Sequence, residues 1–261
     1  VSLDANPKPE EHSGLKFPHD KHLKPEGIRN PDKGMVKLDC ASCHKPDPGG
    51  VSFIPIRMTV DCQGCHALRF DARALDRQLP HGNAAEAQKV IRDFYAGLAL
   101  RGEVQDEGAP DVVRRRPGEP LPEAERQQAL AWADAKASEQ ADVVIGKTLC
   151  GSCHTVAKQP DGQWQVAPVR LAEHWLPNER FVHNKHASVN CDVCHAARKS
   201  DTATDVLLPG VETCQACHGG EKSAAKVPST GITCHVFHSP DHPPFGDRRA
   251  ADAGSVKEAH E

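Results

Sequence analysis

Five times in this chain a Cys-x-x-Cys pair is followed directly by histidine. The motifs read CASCH at Cys40–His44, CQGCH at Cys62–His66, CGSCH at Cys150–His154, CDVCH at Cys191–His195 and CQACH at Cys214–His218. With 16 histidines in 261 residues, five such coincidences by chance have odds of about one in a million. The spacing has a chemical reason. Two thiols three residues apart match the two vinyl groups of a haem, and the next residue then lies under the ring, where its imidazole ligates iron. The expected thioether pairs are Cys40 with Cys43, Cys62 with Cys65, Cys150 with Cys153, Cys191 with Cys194 and Cys214 with Cys217. Other chemistries account for less. Zinc ribbons pair their CxxC units and need no histidine after each one. A disulfide framework of 11 cysteines leaves one over and gives the histidines no role. A redox dithiol is expected once, beside a βαβ pattern that this sequence lacks. Covalently attached haem is therefore the expected cofactor.

Composition bears on what holds such a chain together. Hydrophobic residues make up 38% and aromatics 4%, while there are 21 Pro and 20 Gly. Side-chain burial on that scale struggles to offset the conformational entropy of ordering the chain, so the macrocycles are expected to supply apolar interior. The expected fold is mainly α with extensive loops, short helices wrapped round stacked haems, and little sheet. Haem-free protein is expected to be largely unfolded. The formal charge of -4, from 32 basic and 36 acidic residues without long blocks of either sign, argues against nucleic acid as a partner. No apolar run is long enough to span a bilayer. The stretch VSLDANPKPE is polar from its fourth residue on, so a signal peptide, if the protein is exported, has already been removed.

Each iron needs a second axial ligand, and Met35 and Met58 are the only methionines. Histidine is the abundant alternative. Two segments match: FPHDKH, with Phe17, His19 and His22, and FVHNKH, with Phe181, His183 and His186. Each precedes two attachment motifs, which marks an internal duplication. Positions i and i+3 of one helical turn point to nearly the same side, so one turn can serve two neighbouring haems.

The F-x-H-x-x-H segment upstream of closely spaced CxxCH motifs resembles the class III multihaem cytochromes c, the bis-His tetrahaem cytochromes of sulfate reducers and their relatives. The resemblance covers residues 17–81 and 146–242, and only the motifs are specific. It implies that His19 caps the haem of Cys40 and Cys43, that His183 caps that of Cys191 and Cys194, and that His22 and His186 reach other haems. The chain departs from the compact pattern in its long middle insertion and extra motifs. It is more similar to larger, hexahaem-like relatives with an LPHG segment and a CHxFH ending, matched here by Leu79–Gly82 and Cys234–His238. On that resemblance His81 and His238 are further distal ligands.

The stretch GITCHVFH has Gly231 where the first cysteine of a pair would stand. Cys234 and His235 are expected to hold a sixth haem through a single thioether. The histidines then balance: His44, His66, His154, His195, His218 and His235 on the proximal side, and His19, His22, His81, His183, His186 and His238 on the distal side. His174 and His242 are reserve ligands.

Three regions follow: an N-terminal haem module over 1–82, a helical insertion without haem ligands over 83–147, and a C-terminal haem module over 148–261. In the insertion, Asn83 is placed to cap a helix running to about Leu100, with Val90, Ile91, Phe94, Tyr95 and Leu98 on one face. Pro122 suits the start of a second, running through Leu130 and Trp132 toward Ile145. The charged loop between them includes Arg114–Arg116.

With imidazole on both faces of iron, the expected function is outer-sphere electron transfer at low potential. The chain would act as a periplasmic carrier, an envelope conduit module or an extracellular filament protomer. Its partners would be redox proteins or identical subunits, in a homo-oligomer or filament. It is expected not to be an enzyme. The alternative is a multihaem reductase of a nitrogen or sulfur compound, which needs one haem with an open face. Covalent haem assembly places the protein in the periplasm or outside the cell.

Overall fold

The computed structural model describes residues 12–104, 106, 108–110, 120–170 and 179–236. Helix accounts for 40% and strand for 11%, so the chain is mainly helical with little sheet. In chain order the elements are α1 (His19–His22), β1 (Ile28–Asn30), β2 (Gly34–Val36), α2 (Cys40–Cys43), α3 (Ala84–Leu100), α4 (Glu123–Val143), α5 (Cys150–Cys153), β3 (Val156–Lys158), β4 (Trp164–Val166), α6 (Cys191–Cys194), α7 (Val211–Cys217), β5 (His218–Gly219), β6 (Val227–Pro228) and α8 (Gly231–Cys234). Wide π turns cover Met58–Cys62 and Val144–Thr148, and 3-10 turns cover His183–His186 and Ala197–Lys199. The strands form three two-stranded ladders, β1–β2 and β3–β4 antiparallel and β5–β6 parallel.

The chain divides into two compact units, one taking in residues up to 61 together with those from 168 on, the other residues 62–167. These boundaries follow packing rather than the run free of Cys and His between 83 and 147. The second motif, with Cys62 and Cys65, consequently falls in the unit of the helical pair and the first motif in the other unit.

The 62–167 unit has an ordinary protein core built on α3 and α4. Asn83 caps α3 by accepting the Glu86 N–H at 2.9 Å, which satisfies one of the orphan donors of the first turn. Ala87, Ile91, Phe94, Tyr95, Leu98 and Ala99 of α3 are buried. They meet Ala129, Ala133, Ala137 and Ala141 of α4, one residue in every four along a single face. That stripe of methyls lets two backbones approach while the opposite helix supplies the bulk. Arg92 and Asp134 join the helices outside the core at 2.6 and 3.2 Å. Val144 and Ile145 close one end, and Phe70, Ala74 and Leu79 come in from the loop before α3. After α4 the chain turns tightly into α5. A Cβ at Gly146 would come within 2.7 Å of the Trp164 ring, and one at Gly151 would overlap the Gly146 carbonyl. Glycine at both positions lets the third CxxCH motif sit against the end of the helical pair.

The other unit is built differently. Among the described residues Leu23 is its only buried hydrophobic side chain, beside the buried polar Ser13, Asn30 and Ser200. All fifteen buried hydrophobics that form the core cluster belong to 62–167. Order in this unit comes from short capped turns and cross-chain backbone hydrogen bonds. Asp39 and Ser42 make a reciprocal capping box at α2, with Ser42 N–H to Asp39 Oδ1 at 2.8 Å and Asp39 N–H to Ser42 Oγ at 3.1 Å. Asn30 Oδ1 accepts from Asp32 and Lys33 across the β1–β2 turn.

Candidate functional site

Each attachment motif is folded as one tight turn whose first and fourth residues share a side. The histidine N–H closes the turn on the carbonyl of the first position: His44 to Cys40 at 2.8 Å, His66 to Cys62 at 2.9 Å, His154 to Cys150 at 2.8 Å and His195 to Cys191 at 2.9 Å. His218 does the same to Cys214. The second motif reaches this shape by another route. Four of the five motifs lie in short α-helices, whereas Cys62 ends a π turn and Cys65 stands in the plain turn that follows. There Cys65 N–H also donates to Cys62 O, at 3.0 Å, so the one carbonyl holds both Cys65 and His66. The irregular site follows suit, with His235 N–H to Gly231 O at 2.9 Å. Its helix α8 carries a capping box between Thr230 and Thr233 like that at α2. Losing the first thiol has therefore not altered the turn that presents Cys234 and His235.

Cys40, Cys43, Cys150, Cys153, Cys191, Cys194, Cys214, Cys217 and Cys234 carry free thiols, and Cys62 and Cys65 are half-buried. Burial pushes the thiols of Cys40, Cys43, Cys150 and Cys214 up, and nearby thiols push in the same direction, Cys191 on Cys40 and Cys234 and Cys194 on Cys214. A thiol whose pKa is raised in this way is a poor anionic metal ligand.

The histidines come together in pairs. His19 faces His44 with ring centroids 6.4 Å apart and planes at 16°. His183 faces His195 at 6.4 Å and 21°. His186 and His218 stand 6.1 Å apart at 46°, and His81 and His154 5.9 Å apart at 44°. The two duplicated segments share one local design. Phe17 stacks on His22 at 4.4 Å and lies edge-on to His19 at 5.0 Å. Phe181 stacks on His186 at 4.6 Å and lies edge-on to His183 at 4.8 Å. The aromatic thus orients both histidines of its turn.

Backbone carbonyls and a hydroxyl meet Nδ1 of several of these rings. His22 Nδ1 reaches Pro18 O at 2.8 Å, His186 Nδ1 reaches Val182 O at 3.2 Å and His183 Nδ1 reaches Val51 O at 3.3 Å. His195 Nδ1 lies 2.6 Å from Leu207 O, and His218 Nδ1 lies 2.7 Å from Ser229 Oγ. A carbonyl can only accept, so in the neutral tautomer that makes these bonds at His22, His183, His186 and His195 the proton sits on Nδ1 and Nε2 keeps its lone pair. Burial lowers the pKa of His19, His44 and His81, with His44 adding to the effect at His19 and His195 at His44. These imidazoles are held neutral, the form that binds metal.

His22 belongs to the first unit, and His66 with its cysteines Cys62 and Cys65 to the second, and each is placed within its own. His235 pairs by an antiparallel backbone bridge with Glu179, and Arg180 N–H donates to Cys234 O at 2.8 Å. His238, expected as a distal ligand, lies outside the described residues, as do the reserve ligands His174 and His242 and the Arg114–Arg116 run. Among the described residues no three His, Cys, Asp or Glu side chains converge. A tetrahedral all-protein cage needs such a group, and paired axial imidazoles do not. No helix among the described residues is long and apolar enough to cross a membrane.

Sequence reasoning did not single out Phe53, the Val51 and Leu207 carbonyls or Ser229. Three of these four act through the backbone or as a lone hydroxyl, and no residue pattern announces such groups. Phe53 stands between His44, at 6.0 Å, and His183, at 4.8 Å. Compared with protein-family models, curated proteins and solved structures, the chain matches none.

Proposed function

We propose that this chain is a multihaem cytochrome c of the class III type, carrying electrons by outer-sphere exchange through six haems. Five would be held by two thioethers and one, at Cys234, by a single thioether. The observation that carries the reading is the spacing of the imidazole pairs. An imidazole nitrogen binds a first-row metal ion at about 2 Å, and ordinary bond lengths put the ring centre about 1 Å behind that nitrogen. Two imidazoles on opposite faces of one ion then stand with centroids about 6 Å apart. The four pairs lie between 5.9 and 6.4 Å.

The residues present fit the group. In each of the four pairs one histidine closes a CxxCH turn whose cysteines supply the thioether positions, and the other comes from an HxxH turn or from the LPHG segment. Protonated Nδ1 atoms on carbonyls leave Nε2 as the donor at His183, His186 and His195. The scarcity of buried side chains in the first unit supports the same reading, since tetrapyrrole rings would add apolar area there. Bound at these positions, haem iron supplies reversible one-electron chemistry at lower potential than His/Met ligation gives. Two protein imidazoles per iron leave no face for substrate, which favours a carrier over a reductase. Covalent haem attachment implies a periplasmic or extracellular location, with redox proteins or identical subunits as partners.

A pyridine haemochrome assay combined with intact mass tests the reading. Six haems per chain are expected, each adding its mass to the polypeptide. A colourless protein with the bare polypeptide mass would sink the proposal.

A further inference from the structure

The two histidine turns of the duplication are each held by the other half. Asn184, the residue after His183, donates its backbone N–H to Gly50 O at 3.0 Å, and Asp20, the residue after His19, donates to Ser200 O at 2.9 Å. Gly50 follows the CASCH motif and Ser200 follows CDVCH. The loop behind each motif therefore grips the HxxH turn of the opposite repeat.

The grip is unequal. Behind CASCH the chain is knotted on Asp47, whose carboxylate accepts from Val51 N–H at 3.1 Å and Ser52 N–H at 3.3 Å. The Asp47 N–H donates to Ser52 O at 3.0 Å, and Ile54 N–H donates to Lys45 O at 2.8 Å. Gly50 sits at φ 66° in the left-handed region, and a Cβ there would come within 2.7 Å of the Asn184 Cβ. Only glycine suits both the conformation and the approach. Thus built, the loop meets His183 twice: the Val51 carbonyl lies 3.3 Å from its Nδ1, and the Phe53 ring stands edge-on at 4.8 Å and 74°. Among the described residues His19 has no such acceptor, and its buried Nδ1 meets no hydrogen-bond partner there.

An acceptor on Nδ1 fixes the ring plane and strengthens donation through Nε2. Stronger axial donation favours the oxidised metal, so the site that has it titrates lower. His195, opposite His183, acts in the same sense through Leu207 O at 2.6 Å. Resting on the haem reading above, we infer that residues 47–53 form a clamp, supplied by the first repeat, that positions His183 and makes the Cys191–His195 site the lower-potential partner of the Cys40–His44 site. Asp47, Gly50 and Phe53 are positioning residues.

Redox titration of the intact holoprotein, followed by electron paramagnetic resonance of its low-spin signals, provides the test. Asp47→Ala releases the knot and Gly50→Ala pushes the loop off Asn184, while neither residue is a ligand. Both variants are expected to keep the parent haem content, to move one titration step to higher potential and to shift the g values of one low-spin component. Asp47→Asn keeps one acceptor oxygen and loses the other, so its potential and g values should fall between those of the parent and of Asp47→Ala. Full haem content with unchanged g values and potentials in both variants overturns the clamp alone, as does a step that moves downward. A parent protein without haem overturns the clamp and the proposed function together.

Discussion

Asp71 shows how one carboxylate ties a loop to the helical pair. Tyr95 donates its phenol O–H to Asp71 Oδ2 at 2.6 Å, and Arg73 pairs with the same carboxylate at 2.9 Å and with Asp106 at 2.7 Å. Burial alone pushes the Asp71 carboxyl up, but the hydrogen bonds from Arg73 and Tyr95 outweigh it and hold the pKa at about 2, below the ordinary 3.8. Burial, then the bond to Asp71, pushes the Tyr95 phenol up. A depressed carboxyl adds stability that is complete above its unfolded pKa and fades as pH falls through the folded value. The urea midpoint for loss of far-ultraviolet helix signal should therefore drop between pH 3.8 and about 2. Asp71→Asn should flatten that drop, at a cost near neutral pH of about 1 kcal/mol once solvent screening is allowed for. The glycine at the irregular motif offers a second residue-level check. The Gly231–Cys234 turn matches the Cys40–Cys43 turn in its closing bond and capping box, so Gly231→Cys should place a thiol where the second thioether forms. Consuming the last conjugated vinyl group should move the haemochrome α band of the variant to shorter wavelength, with haem count unchanged. An unmoved band, together with one haem fewer than six per chain, would mean that Cys234 holds no haem.

At the scale of elements, α3 was legible and half of α4 was not. Asn83 as cap, Leu100 as the end and the Val90, Ile91, Phe94, Tyr95, Leu98 face all follow from period and capping chemistry, and the structure has them, with Val90 only partly buried against the core. The start of α4 after Pro122 was equally plain. Its buried stripe was not, because alanine carries too little hydrophobic signal to stand out beside Leu130 and Trp132. The stripe takes its meaning from the Phe94 and Tyr95 side chains across the interface, which a single sequence does not align with it. Ala133, fully buried, gives the prediction. Ala133→Leu should lower the stability of the helical pair by about 1–3 kcal/mol through overpacking, read as a lower urea midpoint with unchanged haem content. The motif turns themselves were readable because one spacing, Cys-x-x-Cys-His, recurs five times and each copy closes the same turn. The Phe53 and Val51 contacts to His183 were hidden because the partners lie more than a hundred residues apart in the chain and share no pattern.

For the molecule as a whole, the sequence-level expectation was an interior supplied by haem in the two motif-bearing modules, an ordinary helical insertion between them, and largely unfolded apoprotein. The distribution of buried side chains divides that expectation. Residues 62–167 carry a side-chain core of their own, and the described part of the other unit has Leu23 alone. Hydrogen exchange on haem-free protein should therefore show slow amides in α3 and α4 and fast exchange at β1–β2 and α6–α8. Uniform fast exchange would show that the alanine-faced pair does not stand without the cofactor.

Reciprocal gripping of the histidine turns also sets a timetable. Ser200 must arrive before the turn at His19 is held, whereas the turn at His183 meets a loop delivered long before it. A polypeptide threaded N-terminus first thus waits, with the turn at His19 unsecured, until Ser200 has emerged. If the thiols carry haem as proposed, the machinery that attaches it would have to keep the leading thiols available throughout that delay.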